Sequence, residues 1–175
     1  MRDFCTDYAQ ALFSLAEEEK AEQTYLSQLQ TIKTALDENG DFVKFLDSPA
    51  IPKEERLDAV EQAFSDAQRN IISFIKILAE KRRAFCLAKC IDIFAKLYDE
   101  KNNIERVVCV TAVSLDDVQQ NAMQKKLESV TGKSIILTNE VDPSVMGGVL
   151  LRLKNSEING SVAQRLKDIE KAIRI

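Results

Sequence analysis

The feature that constrains this chain most is a change of apolar rhythm near Asn102-Asn103. Before that point apolar residues recur every three or four positions, the spacing that gives a helix one oily face. After it β-branched residues run together, as they do in strands. The change predicts an α+β protein: an N-terminal six-helix bundle over residues 1–104, then a small α/β C-terminal domain over residues 105–175.

In the first part, Phe4, Tyr8, Ala11, Leu12 and Leu15 mark one amphipathic helix, and Tyr25, Leu29, Ile32 and Leu36 a second that stops at Asn39-Gly40. A short element carries Phe42, Phe45 and Leu46 before Ser48-Pro49-Ala50-Ile51-Pro52 breaks the chain. Proline fixes φ and lacks an N–H, so Pro52 suits the start of the next helix, with Glu54 and Glu55 at its positive end. That helix carries Leu57, Val60 and Phe64; Ile71, Phe74, Ile75 and Leu78 mark a fifth; Leu87, Ile91, Phe94 and Tyr98 mark a sixth. Short connections between them imply antiparallel packing.

In the second part Arg106 to Val113 reads as a strand. Ser114 with Asp117 has the spacing of a capping box for a helix through Val118, Met123, Leu127 and Val130, closed by Thr131-Gly132. Ser134 to Val141 and Gly148 to Leu153 read as two more strands. Ser156 to Asn159 is a short return, and a closing helix spans about Val162 to Ile173 with Ser161 as its cap.

Chemistry is notable for what is missing. The 175 residues contain no histidine, which removes the usual proton shuttle, the Ser-His-Asp triad and any His-ligated metal. The five glycines build no phosphate loop. Asp116-Asp117 serves a helix dipole rather than acid/base work, and Lys81-Arg82-Arg83 is a solvated helix end. Cys5, Cys86, Cys90 and Cys109 match neither a disulfide framework nor a zinc site, so free, buried thiols are expected. No catalytic residue, metal or cofactor is expected.

With 24 basic residues interspersed among 28 acidic ones, the chain lacks the clustered positive charge of a nucleic-acid binder. No apolar run approaches the roughly 20 residues that span a bilayer. The start of the chain reads as neither a secretory signal nor a transit peptide. Membrane association is therefore expected only through partners, in a cytoplasm-like compartment.

The stretch from Val141 to Ile173, VDPSVMGGVLLRLKNSEINGSVAQRLKDIEKAI, is the most specific. Asp142-Pro143 makes a turn, Gly147-Gly148 a close bend, Val149 to Leu153 a strand, and Gly160-Ser161 leads into the closing helix. It resembles the C-terminal signature of the δ subunit of F-type ATP synthases, the oligomycin-sensitivity-conferring protein family. The matching positions are Asp142, Gly147, Gly148, Arg152, Gly160, Ser161, Val162, Arg165 and Leu166. Asn159 stands where that family usually has Asp. Tyr8-Ala9-Gln10-Ala11-Leu12, Phe45-Leu46-Asp47-Ser48-Pro49 and Asn70 through Leu78 also resemble family segments in order. The family's glycine near the end of that last helix is replaced here by Lys81-Arg82.

The resemblance implies a non-catalytic stator subunit that holds the catalytic head still against rotor torque. It implies that the bundle grips the N-terminal helix of an ATP synthase α subunit in a groove between its first and fifth helices. The smaller domain would meet the peripheral-stalk b subunits, at the cytoplasmic face of the bacterial inner membrane. Groove residues expected on this basis are Tyr8, Ala11, Leu12, Leu15, Ile71, Ile75, Leu78 and Ala79. A helical adaptor outside the synthase shares the composition but leaves the C-terminal signature unexplained.

Overall fold

The apolar spacing of the first hundred residues resolves into helices in a computed structural model, which describes residues 4–145, 147–153 and 157–160. Seven α-helices and one four-stranded sheet make up the described α+β fold. The helices are α1 (Phe4–Glu18), α2 (Glu22–Glu38), α3 (Gly40–Asp47), α4 (Lys53–Ala63), α5 (Arg69–Glu80), α6 (Leu87–Lys101) and α7 (Asp117–Thr131). A 3-10 turn, Ala84–Cys86, precedes α6. The strands are β1 (Ile104–Thr111), β2 (Ser134–Val141), β3 (Val149–Arg152) and β4 (Glu157–Asn159).

The chain divides into two units, Met1–Tyr98 and Asp99–Ile175. The division falls inside α6, ahead of the Asn102-Asn103 turn where the sequence changes character. One reason is local. Asp99 accepts two hydrogen bonds from Arg106 of β1, at 2.8 and 3.0 Å, so the last turn of α6 goes with the strand that follows it.

In the first unit Tyr25, Leu29, Leu46, Ile71, Leu78, Leu87 and Phe94 are fully enclosed and form one core. Each such side chain contributes about 1.5–3 kcal/mol by leaving water. Phe94 sits at its centre, stacked with Tyr25 at 6.4 Å and edge-on to Phe13 at 5.2 Å. Among the described residues of this unit, one charged group lies in the interior. Arg56, 3% exposed, donates from Nη1 to the carbonyls of Leu46, at 2.9 Å, and Ala79. Those carbonyls lie at the C-terminal ends of α3 and α5, where the helix dipoles favour a cation.

Helix ends show where local chemistry departs from expectation. Asn39 closes α2, but α3 begins at the next residue, so Asn39-Gly40 bends the chain without a loop. Pro52 is the N-cap of α4 rather than its first turn. The capping box of α7 uses Asp116 and Gln119, not Ser114 and Asp117. Asp116 accepts from the Gln119 amide at 2.7 Å, and the Gln119 side chain accepts from the Asp116 amide at 3.3 Å. Arg82 adopts φ +52° just past α5. Glycine takes this left-handed conformation more readily than arginine does.

The sheet of the second unit has the order β2-β1-β3-β4. β1 and β2 are parallel, Ile104 to Thr111 against Ser134 to Val141, as the α7 crossover requires. β3 is antiparallel to β1 and β4 to β3. β1 lies two residues earlier than the apolar run suggests, because Val113 is 73% exposed and outside the ladder. The short return is a fourth strand. The expected closing helix lies outside the described residues.

Candidate functional site

Two side-chain clusters fix α1 beside α5. At one end Asn70, in the first turn of α5, donates from Nδ2 to Glu19 Oε1 at 2.6 Å and to the Tyr25 hydroxyl at 3.0 Å. Tyr25 in turn donates to Glu19 Oε2 at 2.6 Å. Burial first, and the bond to Glu19 second, raise the Tyr25 pKa above its ordinary value. At the other end the Arg83 guanidinium, just past α5, lies 4.3 Å from the centroid of the Phe4 ring. Glu19 follows α1 and Phe4 opens it, so the two helices run side by side and antiparallel.

Their outer seam is apolar. Phe4, Tyr8, Ala11 and Leu15 follow the spacing that places residues on one stripe of a helix. Phe4 is 51% exposed, Ala11 is exposed, and Tyr8 and Leu15 are partly so. Ile77 stands two turns along α5 from Asn70, on the same flank, and is 44% exposed. Beyond the seam's Arg83 end, Asp47 accepts the amides of Ala84 and Phe85 at 2.7 and 2.9 Å, holding Phe85, which is 66% exposed.

The eight expected groove residues therefore split. Tyr8, Ala11 and Leu15 reach the seam's surface. Leu12, Ile71, Ile75, Leu78 and Ala79 are all under 5% exposed and pack the bundle's own interior. An apolar residue in the middle of an amphipathic stripe faces the core, while those on its flank face a neighbour. Sequence reasoning named the stripe of α1 but missed Ile77 and Phe85. The signal for Ile77 is its place off the Ile71/Ile75/Leu78 face of α5, on the Asn70 flank.

The C-terminal signature is architectural in the described residues. Gly147 and Gly148 take φ +124° and +84°, conformations that side-chain-bearing residues rarely adopt. The Gly160 amide donates to Val149 O at 2.9 Å, so close that a Cβ would meet that oxygen at 3.1 Å. Arg152 pairs with Glu157 at 3.5 Å and Glu140 at 3.7 Å across the sheet. Ser144, through its side chain first and its amide at 2.9 Å second, holds the Asp142 carboxyl below its usual range. Ser161 and Arg165 lie outside the described residues.

All four cysteines are buried thiols, and Cys90 Sγ donates to the Cys5 carbonyl at 3.3 Å. No cluster of three or more metal-ligating side chains occurs among the described residues. No helix among them is long and apolar enough to cross a membrane.

The described residues present an exposed apolar helical seam on one unit and a small mixed sheet in the other. Comparison with known proteins gives the class. The sequence profile of the ATP synthase delta (OSCP) subunit matches residues 6–173. A Lactobacillus acidophilus protein named ATP synthase subunit delta is 36% identical, with 95% of this chain and 92% of that protein aligned. A protein of the same name from Clostridioides difficile is 32% identical over 95% of this chain and 93% of its own length. The fold is also that of a chain in the cryo-EM structure of the Toxoplasma gondii mitochondrial ATP synthase hexamer. The TM-score is 0.74 at 23% identity, with 99% of both chains covered.

The chain belongs to the ATP synthase delta (OSCP) subunit family. It is a structural stator subunit and not a catalytic one.

Proposed function

We propose that the α1/α5 seam clasps the N-terminal helix of an ATP synthase α subunit, while the second unit meets the peripheral-stalk b subunits. The subunit so joined resists rotor torque during proton-driven ATP synthesis. The observation that carries this reading is the row Phe4, Tyr8, Ala11, Leu15 and Ile77, exposed along a seam closed at both ends by side-chain contacts. An amphipathic helix laid there covers apolar surface on both sides. The chain would work at the cytoplasmic face of a bacterial inner membrane, held there through its partners. The smaller unit takes the stalk on resemblance.

A stator has to outlast many turnovers. With kon near ~10⁶ M⁻¹s⁻¹ and Kd near ~1 nM, release takes on the order of 10³ s. At roughly 10² turnovers per second the clasp then survives many cycles, whereas a micromolar clasp lets go in about a second. Titration calorimetry of the full chain with the cognate α N-terminal segment tests this. Nanomolar or tighter binding, only weakly dependent on salt, is expected. Ile77→Asp and Ala11→Asp should each weaken it at least about tenfold with the helical circular dichroism unchanged. A Kd in the high micromolar range, or indifference to both changes, rejects the seam.

A further inference from the structure

A second groove lies in the first unit, lined by none of the seam residues. It follows α2 from Ser27 to Asn39 and is walled by the end of α4, the Phe64–Ala67 turn and α3. Two clefts, of about 740 and 330 Å³, share Ala35, Ala63 and Phe64. A third, of about 530 Å³, continues over the outer face of α4 and shares Phe45 with the first. Its apolar floor is aromatic: Phe42 lies 6.3 Å from Phe45 and edge-on to Phe64 at 5.9 Å, all three partly exposed.

The rim is acidic. Glu38, Asp41, Asp66, Glu54, Glu55 and Asp58 line the three clefts, and Lys44, paired with Asp41 at 2.8 Å, is the single cation among the lining residues. Six carboxylates less one ammonium leave a local excess of five negative charges, where the whole chain carries a net of only four. Carboxylates around an aromatic floor disfavour an acidic or neutral polar occupant and attract a cation that can also contact ring faces.

We propose that this groove is a second docking surface, for a cationic amphipathic helix of a partner protein. Apolar and aromatic side chains of that helix would sit over Phe42, Phe45 and Phe64, with lysines or arginines along the acidic rim. The floor from Ser27 to Asn39 runs about 18 Å at the helical rise, which accommodates about three turns of a partner helix. The mode differs from the seam's: here charge steers the approach and sets specificity, so binding falls steeply with salt.

The test uses the full chain and a labelled synthetic helix of about 14 residues, with leucine and phenylalanine on one face and lysine on the other. Fluorescence anisotropy is read at low and physiological salt. Binding is expected, and Glu38→Lys with Asp58→Lys should weaken it at least about tenfold. Both positions are exposed, so the bundle should keep its circular dichroism spectrum. Reversing two acids elsewhere, Glu18→Lys with Asp117→Lys, should have less than about a threefold effect. The proposal is overturned in four ways. A scrambled peptide of equal charge and no apolar face binds as well, a glutamate-for-lysine peptide binds as well, or the control reversals weaken binding equally. The fourth is loss of binding in Ile77→Asp, which puts the peptide in the seam and leaves that reading standing.

Discussion

Replacing Arg56 by Met tests the least sequence-like feature of the fold, a guanidinium enclosed among apolar side chains. Methionine fills a similar length of space but donates nothing. The Leu46 carbonyl then loses its charged donor, which costs about 1–3 kcal/mol for a buried acceptor. The Ala79 carbonyl keeps the Arg82 amide at 3.2 Å, so its loss is smaller. Removing a cation from the C-terminal ends of two helices costs about 0.3–1 kcal/mol each. Against this, the variant no longer buries a charge, and Arg56 Nε has no hydrogen-bond partner. The balance is a destabilisation of about 2 kcal/mol, with Arg56→Lys between the two because its ammonium keeps the charge but not the fork. Native-state hydrogen exchange of the α5 amides reads this unit's stability separately from the other's. Exchange protection unchanged within about 0.5 kcal/mol refutes the argument, and means the desolvated charge offsets everything its two bonds contribute.

Three further outcomes follow from the geometry. Arg82→Gly should raise stability by about 0.5–1 kcal/mol, measured by urea unfolding, because the left-handed φ of +52° strains any side-chain-bearing residue. An acid whose pKa is raised on folding lends stability below its unfolded pKa and loses it as pH climbs to the folded value. Tyr25 therefore predicts a fall in stability above about pH 10, and Tyr25→Phe should flatten that fall while costing about 1 kcal/mol at neutral pH; equal slopes in both proteins refute it. A disulfide-exchange reagent should react slowly with the native chain and rapidly with all four cysteines after unfolding, since each thiol is buried; a fast native thiol contradicts the packing.

Much of this architecture is legible in the sequence because periodicity reports burial directly. The apolar stripes of α2, α5 and α6 face the core, whereas of the α1 stripe only Leu12 is enclosed, and β2 spans the same residues, Ser134 to Val141, that its apolar run suggests. What the sequence hides is contact between distant segments. Nothing local to Arg56 announces the Leu46 and Ala79 carbonyls 10 and 23 positions away. Asp47 reads as a helix end and serves as the cap of a turn that begins 37 positions later. The site was legible only in part for a related reason. A helix stripe says which residues face the core, not which of its two borders meets a neighbour, so the place of Ile77 beside α1 shows only when the two helices are packed together. Asp116 displaced Ser114 as a cap because the carboxylate sits at the spacing that reaches the Gln119 amide.

The Glu19–Tyr25–Asn70 cluster ties the end of α1, the start of α2 and the start of α5 with three short bonds. The width of the gap between α1 and α5 is thereby set in the unladen protein. A visitor finds a socket already cut to size, and only the visitor has to become ordered. The heat-capacity change of docking should then reflect covered oily area and the visitor's own coiling, with little from rearrangement of the host.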